Sequence, residues 1–186
     1  KLVETWQSFI DPSVQIPPFI QKLTGISPGM LVGAPAFSDI AQTLLEKLEG
    51  RTLVAHNARF DYSFLKNEFD RAGIRYNAKP LCSVKFSRNL YPQFKRHGLS
   101  QIIQRFELAI ENRHRALDDA QMVYQFFQKS SALFSDDEIA ATCQALLKRP
   151  ALPTLLKAKD VEKLPAAAGV YYFYDEKGAL LYVGKS

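Results

Sequence analysis

Two aspartates and a histidine are the residues of this chain best suited to chemistry. In Arg115–Phe127, the residues Ala116, Ala120, Val123 and Phe127 recur at spacings of four, three and four, one face of a helix. Asp119 falls on that face, three residues after Ala116 and four before Val123, whereas Asp118 is turned about 100° away, towards solvent. A carboxylate on a packing face needs hydrogen bonds, a counter-charge or a metal ion, because an unpaired buried charge is costly. Asp61 follows the short apolar run Thr52–Ala55 and falls in the first turn of a second helix. Such strand-to-helix junctions are where α/β proteins place ligands. Phe60, Phe64 and Leu65 border it with apolar surface. His114 stands five residues before Asp119, about 500° of helical turn, so it must reach the same place from the preceding loop, where an imidazole suits a general base. Each residue also has a plainer account. An ion pair would satisfy Asp119, the helix dipole favours a first-turn acid such as Asp61, and a backbone hydrogen bond would occupy His114. His56 and His97 read as partners in local hydrogen bonds.

Strands and helices in alternation must position these groups, which points to an α/β sheet with helices packed on it. Val3–Ile10 has the β-branched and aromatic content of a strand, ended by Asp11–Pro12. A Pro- and Gly-rich stretch over 13–35 allows short helical turns near Pro18–Leu23. Ser38–Leu48 is amphipathic, with Gly50 as its stop. Thr52–Ala55 reads as a strand buried on both faces, followed by a helix from about Ala58 to Ala72 with Asn57 as N-cap and Gly73 as stop. A strand over Pro80–Val84 and helices over Ser100–Phe106, Arg115–Phe127 and Asp136–Leu147 complete the first part.

Composition shifts near Lys148. Pro150, Pro153, Pro165 and the run Ala166–Ala168 make a linker-like stretch, and Val170–Tyr174 and Leu180–Val183 then flank Asp175–Gly178 as a hairpin. One hairpin cannot bury a core alone, so a further domain is expected to begin there. The expected organisation is a domain over 1–132, a helix and linker over 133–168, and the start of a second domain over 169–186.

The chain of 186 residues is 47% apolar and 23% charged, which argues against disorder. No stretch approaches the roughly 18 apolar residues of a membrane span, and no basic-then-apolar leader opens it. Cys82 and Cys143, isolated from each other, read as reduced thiols of a cytoplasmic protein. The net charge of +5 is too small to establish a nucleic-acid partner. Locally, Lys85, Arg88, Lys95, Arg96 and His97 fall among Phe86, Tyr91 and Phe94. That segment reads equally as a loop meeting phosphates and stacking on bases, or as a solvated loop with its aromatics in the core.

In combination the motifs become specific. His56-Asn57-Ala58-Arg59-Phe60-Asp61 resembles the HNAxFD motif of the DEDDh 3′→5′ exonucleases, and His114-Arg115-Ala116-Leu117-Asp118-Asp119-Ala120 resembles their HxAxxD-type third motif. A family-like stretch, His97-Gly98-Leu99 to Phe106, lies between them. Ile16-Pro17 and Leu23-Thr24-Gly25-Ile26 resemble the segment after the third strand in proofreading subunits of the DNA polymerase III epsilon type. The likeness covers about residues 3–130. It implies a ribonuclease H-like fold, a mixed sheet flanked by helices, without its first strands in the sequence as it stands. It also implies phosphodiester hydrolysis from DNA 3′ ends with two Mg²⁺ or Mn²⁺ ions about 4 Å apart. On that resemblance Asp119 binds one ion directly, Asp61 binds the other, and His114 takes the proton of the attacking water. His56, Asn57 and Phe60 are expected at the nucleic acid. RNA is an alternative substrate, and a polymerase or repair complex would be a further partner.

One departure matters. The family's first motif, an Asp-x-Glu pair on the opening strand, is not among these residues. The chain therefore reads as a segment of a longer polypeptide, with a catalytically inactive nucleic-acid-binding module as the rival. At the other end, Gly169-Val170-Tyr171 and Tyr182-Val183-Gly184-Lys185, preceded by Leu164-Pro165, resemble the two halves of a GIY-YIG nuclease signature of the excision-nuclease C type. Tyr171 and Tyr182 would be half of that second site.

Overall fold

The first regular element is α1 (Pro18–Thr24), opened by a proline in its first turn and closed by Gly25, whose φ of 67° ends the helix in the left-handed region. This computed structural model describes residues 2–109, 115–148 and 167–185, in two units, the first ending at Lys148 and the second holding the C-terminal hairpin. After a 3-10 turn over Pro28–Leu31 come α2 (Phe37–Leu48), β1 (Val54–Ala55), α3 (Arg59–Arg71), β2 (Leu81–Cys82), α4 (Ser83–Leu90), α5 (Leu99–Phe106), α6 (Ala116–Leu133) and α7 (Asp136–Lys148). Among the described residues the sheet of this unit is one parallel pair, Val54 against Leu81 and Ala55 against Cys82, with α3 in the crossover. No helix among the described residues is long and apolar enough to cross a membrane.

Among the described residues, two apolar clusters hold these elements. In one, Phe69 is fully buried, its ring edge-on to Phe37 at 5.2 Å and tilted on Tyr76 at 4.9 Å, locking α2 against α3. In the other, Phe86, Tyr91, Ile102, Met122 and Phe126 join α4, α5 and α6, and Ile139, Cys143 and Leu146 of α7 pack onto them. The Tyr91 hydroxyl, pushed above its usual pKa by burial, donates to Ser130 Oγ at 3.0 Å, and Ser130 Oγ donates to the Phe126 carbonyl at 2.9 Å.

Several local expectations need correction. Val3–Ile10 is not a strand: among the described residues no neighbouring strand takes its backbone groups, and it lies exposed up to Phe9. Of Thr52–Ala55 only Val54 and Ala55 form strand, with the Leu53 carbonyl accepting the Leu81 N–H at 2.8 Å, and Val54 is 37% exposed, not buried on both faces. Pro80–Val84 pairs only through Leu81 and Cys82, then turns at once into α4. Asn57 does not cap α3; it takes φ 67°, and Ala58 is the capping position. The helix expected to end at Phe127 runs on to Leu133, its later turns packing through the buried Ser130. The linker-like stretch falls mostly on residues 149–166, outside the described residues.

The described residues of the second unit form an antiparallel hairpin of β3 (Val170–Tyr174) and β4 (Leu180–Lys185). Asp175 organises its turn, its Oδ1 accepting the N–H of Lys177 and of Ala179, both at 2.8 Å. Tyr171 faces Gly184 across the ladder, and its ring lies where a side chain at 184 would begin, so only glycine leaves the ring room in that position.

Candidate active site

The parallel register decides what meets at the end of the sheet. Ala55 and Cys82 are partners, so the residues that follow them, His56 and Ser83, emerge side by side, and His56 Nδ1 stands 2.9 Å from Ser83 Oγ. Ser83 is buried, and burial lowers the pKa of His56, which favours a neutral imidazole held in one orientation. Residues 56–58 turn sharply, with Asn57 left-handed, and the Asn57 carbonyl accepts the Phe60 N–H at 2.8 Å. The turn delivers Asp61 into the first turn of α3.

A first-turn position and a hydrogen bond to its own backbone both favour the ionised carboxyl of Asp61. Its pKa is nevertheless raised: burial is the largest cause, and the negative charge of Asp119 adds to it. Asp61 takes no part in the ion pairs seen among the described residues, Lys47 with Glu4 and Arg71 with Glu68.

Asp119 belongs to the first turn of α6, which packs against β1. The buried face of α6 differs from the expected one. It runs through Met122, Val123, Phe126 and Ser130, while Ala116 and Ala120 are exposed and Phe127 is half-buried. Asp119 still continues that face, three residues before Met122 and four before Val123. Asp118 is half-buried, so it is not turned fully to solvent as its position suggested. Arg115 ties the start of α6 to the turn after α1. Its guanidinium lies 5.9 Å from the Phe9 ring centroid and donates to the Gly25 carbonyl at 3.5 Å. The adjoining His114 lies outside the described residues.

The remaining candidates separate. Phe60 is 65% exposed and packs on Phe64, 59% exposed, at a centroid distance of 4.7 Å. Phe64 and Ser83 are neighbours of the site to which sequence reasoning gives no functional role. The spacing of four from Phe60 signals the first, and only the strand register signals the second. His97 is buried and engaged at both nitrogens: Nε2 donates to the Phe94 carbonyl and Nδ1 meets Ser87 Oγ, both at 2.8 Å. In the hairpin, the rings of Tyr171 and Tyr182 are 6.1 Å apart. A cleft of about 370 Å³ beside Arg51, Arg75 and Lys79 includes neither Asp61 nor Asp119, so it is no guide to the chemistry.

Among the described residues no group of three or more His, Cys, Asp or Glu side chains forms a metal cluster. The donor pair of Asp61 and Asp119 nevertheless fits a hard cation. It consists of oxygens only, partly withdrawn from water, with one carboxylate disfavoured by the charge of the other. A divalent ion between them would relieve that repulsion, and carboxylate oxygens suit Mg²⁺ or Mn²⁺ better than zinc.

Comparison with known proteins agrees with the fold. A family profile described as an exonuclease (RNase_T) spans residues 1–127. A PolC-type DNA polymerase III of Caldanaerobacter subterraneus is 32% identical over 181 residues, 96% of this chain and 12% of that protein. Its counterpart in Streptococcus thermophilus is 37% identical over 121 residues, 64% of this chain and 8% of that protein. The 3′-5′ exonuclease DinG of Staphylococcus haemolyticus is 36% identical over 138 residues, 72% of this chain and 15% of that protein. The chain thus spans a small part of the length of these relatives. Exonuclease X, solved in complex with 5′ overhanging duplex DNA, superposes with a TM-score of 0.51 at 19% identity, over 77% of this chain and 83% of that one, which shows the ribonuclease H-like fold.

Proposed function

We propose that this chain, which belongs to the exonuclease (RNase_T) family, carries part of the active centre of an enzyme that removes nucleotides from DNA 3′ ends. The observation that supports this best is the shared field of two acids from separate helices: burial and the charge of Asp119 together push Asp61 upward. Such a pair is poorly suited to stabilising a fold and well suited to holding cations.

In this reading Asp61 and Asp119 hold Mg²⁺ or Mn²⁺, two ions in the complete site. When bound, the ions supply positive charge to both the attacking and the departing oxygen of an in-line displacement. His114, which precedes Arg115 in the sequence, takes a proton from the attacking water at an imidazole nitrogen. His56, Asn57 and Phe60 form the rim beside Asp61. Ser83 keeps the His56 ring in one orientation, and the exposed Phe60 offers a surface for a terminal base. DNA is the favoured substrate because the relatives are DNA polymerases and a 3′-5′ exonuclease, and the solved neighbour holds duplex DNA.

We read residues 1–132 as the exonuclease domain, 133–168 as a helix and linker, and 169–186 as the opening of a GIY-YIG domain. The meeting of Tyr171 and Tyr182 on adjacent strands supports that last step.

The test is digestion of labelled single-stranded DNA and RNA by the complete protein, with Mg²⁺ or with chelator. Metal-dependent loss of DNA from the 3′ end is expected, with RNA degraded more slowly. Mg²⁺ should also raise the Tm of the wild type but not of Asp119→Asn. Digestion that persists in chelator, or a metal-induced Tm shift that survives the substitution, overturns the assignment. Preferential loss of RNA would overturn the choice of DNA.

A further inference from the structure

From Arg71 to Phe106 the chain has no Asp or Glu, yet it carries eight Lys and Arg. Four of them, Lys85, Arg88, Lys95 and Arg96, are exposed on α4 and the turn that follows it. Lys85 and Arg88 are three residues apart on one side of α4, opposite the buried Ser83, Phe86 and Ser87. The aromatics of this stretch are largely withdrawn from that side. Phe86 and Tyr91 are in the core, and Phe94, 36% exposed, has the Arg105 guanidinium 3.6 Å from its ring centroid. Of these rings only Phe94 is left for stacking on a base, and the Arg105 guanidinium occupies one of its faces, while contact with phosphates keeps its cations.

The turn is also built to hold its charges in place. His97 bridges Ser87 of α4 and the Phe94 carbonyl, each at 2.8 Å, and Arg105 donates to the Arg96 carbonyl at 2.8 Å. The His97 bonds pin the turn that carries Lys95 and Arg96 to the helix that carries Lys85 and Arg88, and the Arg105 bond ties the same turn to α5. No ion pair neutralises any of the four among the described residues. In the acidic first turn of α7, the helix packed on α4, Glu138 is occupied by the Ser135 hydroxyl, which donates to it at 2.8 Å. At its other end α4 starts at Ser83, the partner of His56 beside the candidate active site.

We infer that the outer side of α4 and the 92–97 turn form a track for the sugar-phosphate backbone of the DNA being degraded, leading away from the Asp61 end of the sheet. This rests on the DNA-nuclease reading and adds a binding surface to it. A helix of this length is about 12 Å long, which matches the axial rise over about three phosphates of one duplex strand. Such contacts hold DNA without reading its sequence.

The experiment measures binding of the complete protein to duplex DNA with a 5′ overhang over a range of salt concentrations, alongside metal-dependent digestion. In the variant carrying Lys85→Gln, Arg88→Gln, Lys95→Gln and Arg96→Gln, the slope of log K against log salt should become shallower by about 0.9 for each phosphate no longer neutralised. Arg88→Lys with Lys95→Arg, which keeps the charge, should keep the slope, as should Lys22→Gln with Lys129→Gln elsewhere on the surface. Two DNA sequences should respond alike. An unchanged slope in the fourfold variant, or an equal change in the Lys22 and Lys129 variant, overturns the track while leaving the nuclease reading intact. A wild type that neither binds nor digests DNA removes both.

Discussion

Asp61 and Asp119 stand on the first turns of α3 and α6, far apart in sequence, and the charge of the second helps to raise the pKa of the first. The sign of that shift fixes a pH dependence. An acid whose pKa is higher folded than unfolded binds more protons in the native state, so stability falls as pH rises from the ordinary carboxylate range through the folded value. Above that range the cost is fully present. Asp61→Asn should therefore raise the metal-free Tm near neutral pH and give no gain in acid, where Asp61 is already protonated. Thermal melts from about pH 3 to about pH 8 in chelator check this. An equal effect at both ends would show that Asp61 does not titrate as described.

The two neighbouring acids of α6 should differ in function. Asp119 continues the buried face of Met122, Phe126 and Ser130, and Asp118 is about 100° round the helix from it. Asp119→Ala in the complete protein should lower metal-dependent digestion by about 100-fold or more, the scale expected for losing a ligand that stabilises transition-state charge. Asp118→Ala should keep most of it. Equal losses would contradict the assignment by helix face. For His114→Ala, turnover should fall steeply while DNA binding is largely kept, as removal of a proton acceptor requires. Single-turnover rates and binding titrations on the same preparations separate the two effects.

How far the sequence discloses this arrangement depends on the kind of signal. The helices over Ser38–Leu48, Ala58–Ala72 and Asp136–Leu147 are found within a residue or so of their expected places, because runs such as Ile40, Ala41, Leu44, Leu45 and Leu48 state both period and face. Helix α4 leaves no such trace. Ser83 and Ser87 are buried polar residues at helical spacing, and polar side chains on the inner face erase the apolar period. Their burial makes sense only with His56 and His97 in place as hydrogen-bond partners, which are tertiary contacts. Val3–Ile10 shows the opposite failure: strand composition does not make a strand where no partner strand is present among the described residues. The candidate acids are legible through motif spacing, but the periodicity points to Ala116 and Ala120 as inner residues, and both are exposed.

Phe69 gives the core a direct test. It is fully buried between Phe37 and Tyr76, so Phe69→Ala removes the ring on which both pack and leaves a cavity. A loss of about 3–5 kcal/mol is expected for a Phe-to-Ala change of this kind. Tyr91→Phe should cost far less, about 1 kcal/mol, because it removes only the hydrogen bond to Ser130, and Ser130 keeps the Phe126 carbonyl. Urea unfolding of the two variants beside the wild type gives the comparison, and a larger cost for Tyr91→Phe would reverse the ranking of packing over hydrogen bonding in this core.

The hairpin makes its own demand. The Tyr171 ring crosses the backbone at Gly184, where an added Cβ would overlap the outer atoms of the ring. The far end of a tyrosine can swing aside, so Gly184→Ala should displace the ring and not break the strand pairing. An aromatic ring over glycine shields the glycine protons, so in the wild type the Gly184 Hα resonances should lie upfield of their usual position. Tyr171→Ala should return them to it. Gly184→Ala should leave the backbone amide pattern of Val170–Tyr174 in place while shifting the Tyr171 ring signals. If instead the strand amides lose protection in Gly184→Ala, the glycine is needed for the ladder itself, and the ring's position is a consequence of that pairing, not its reason.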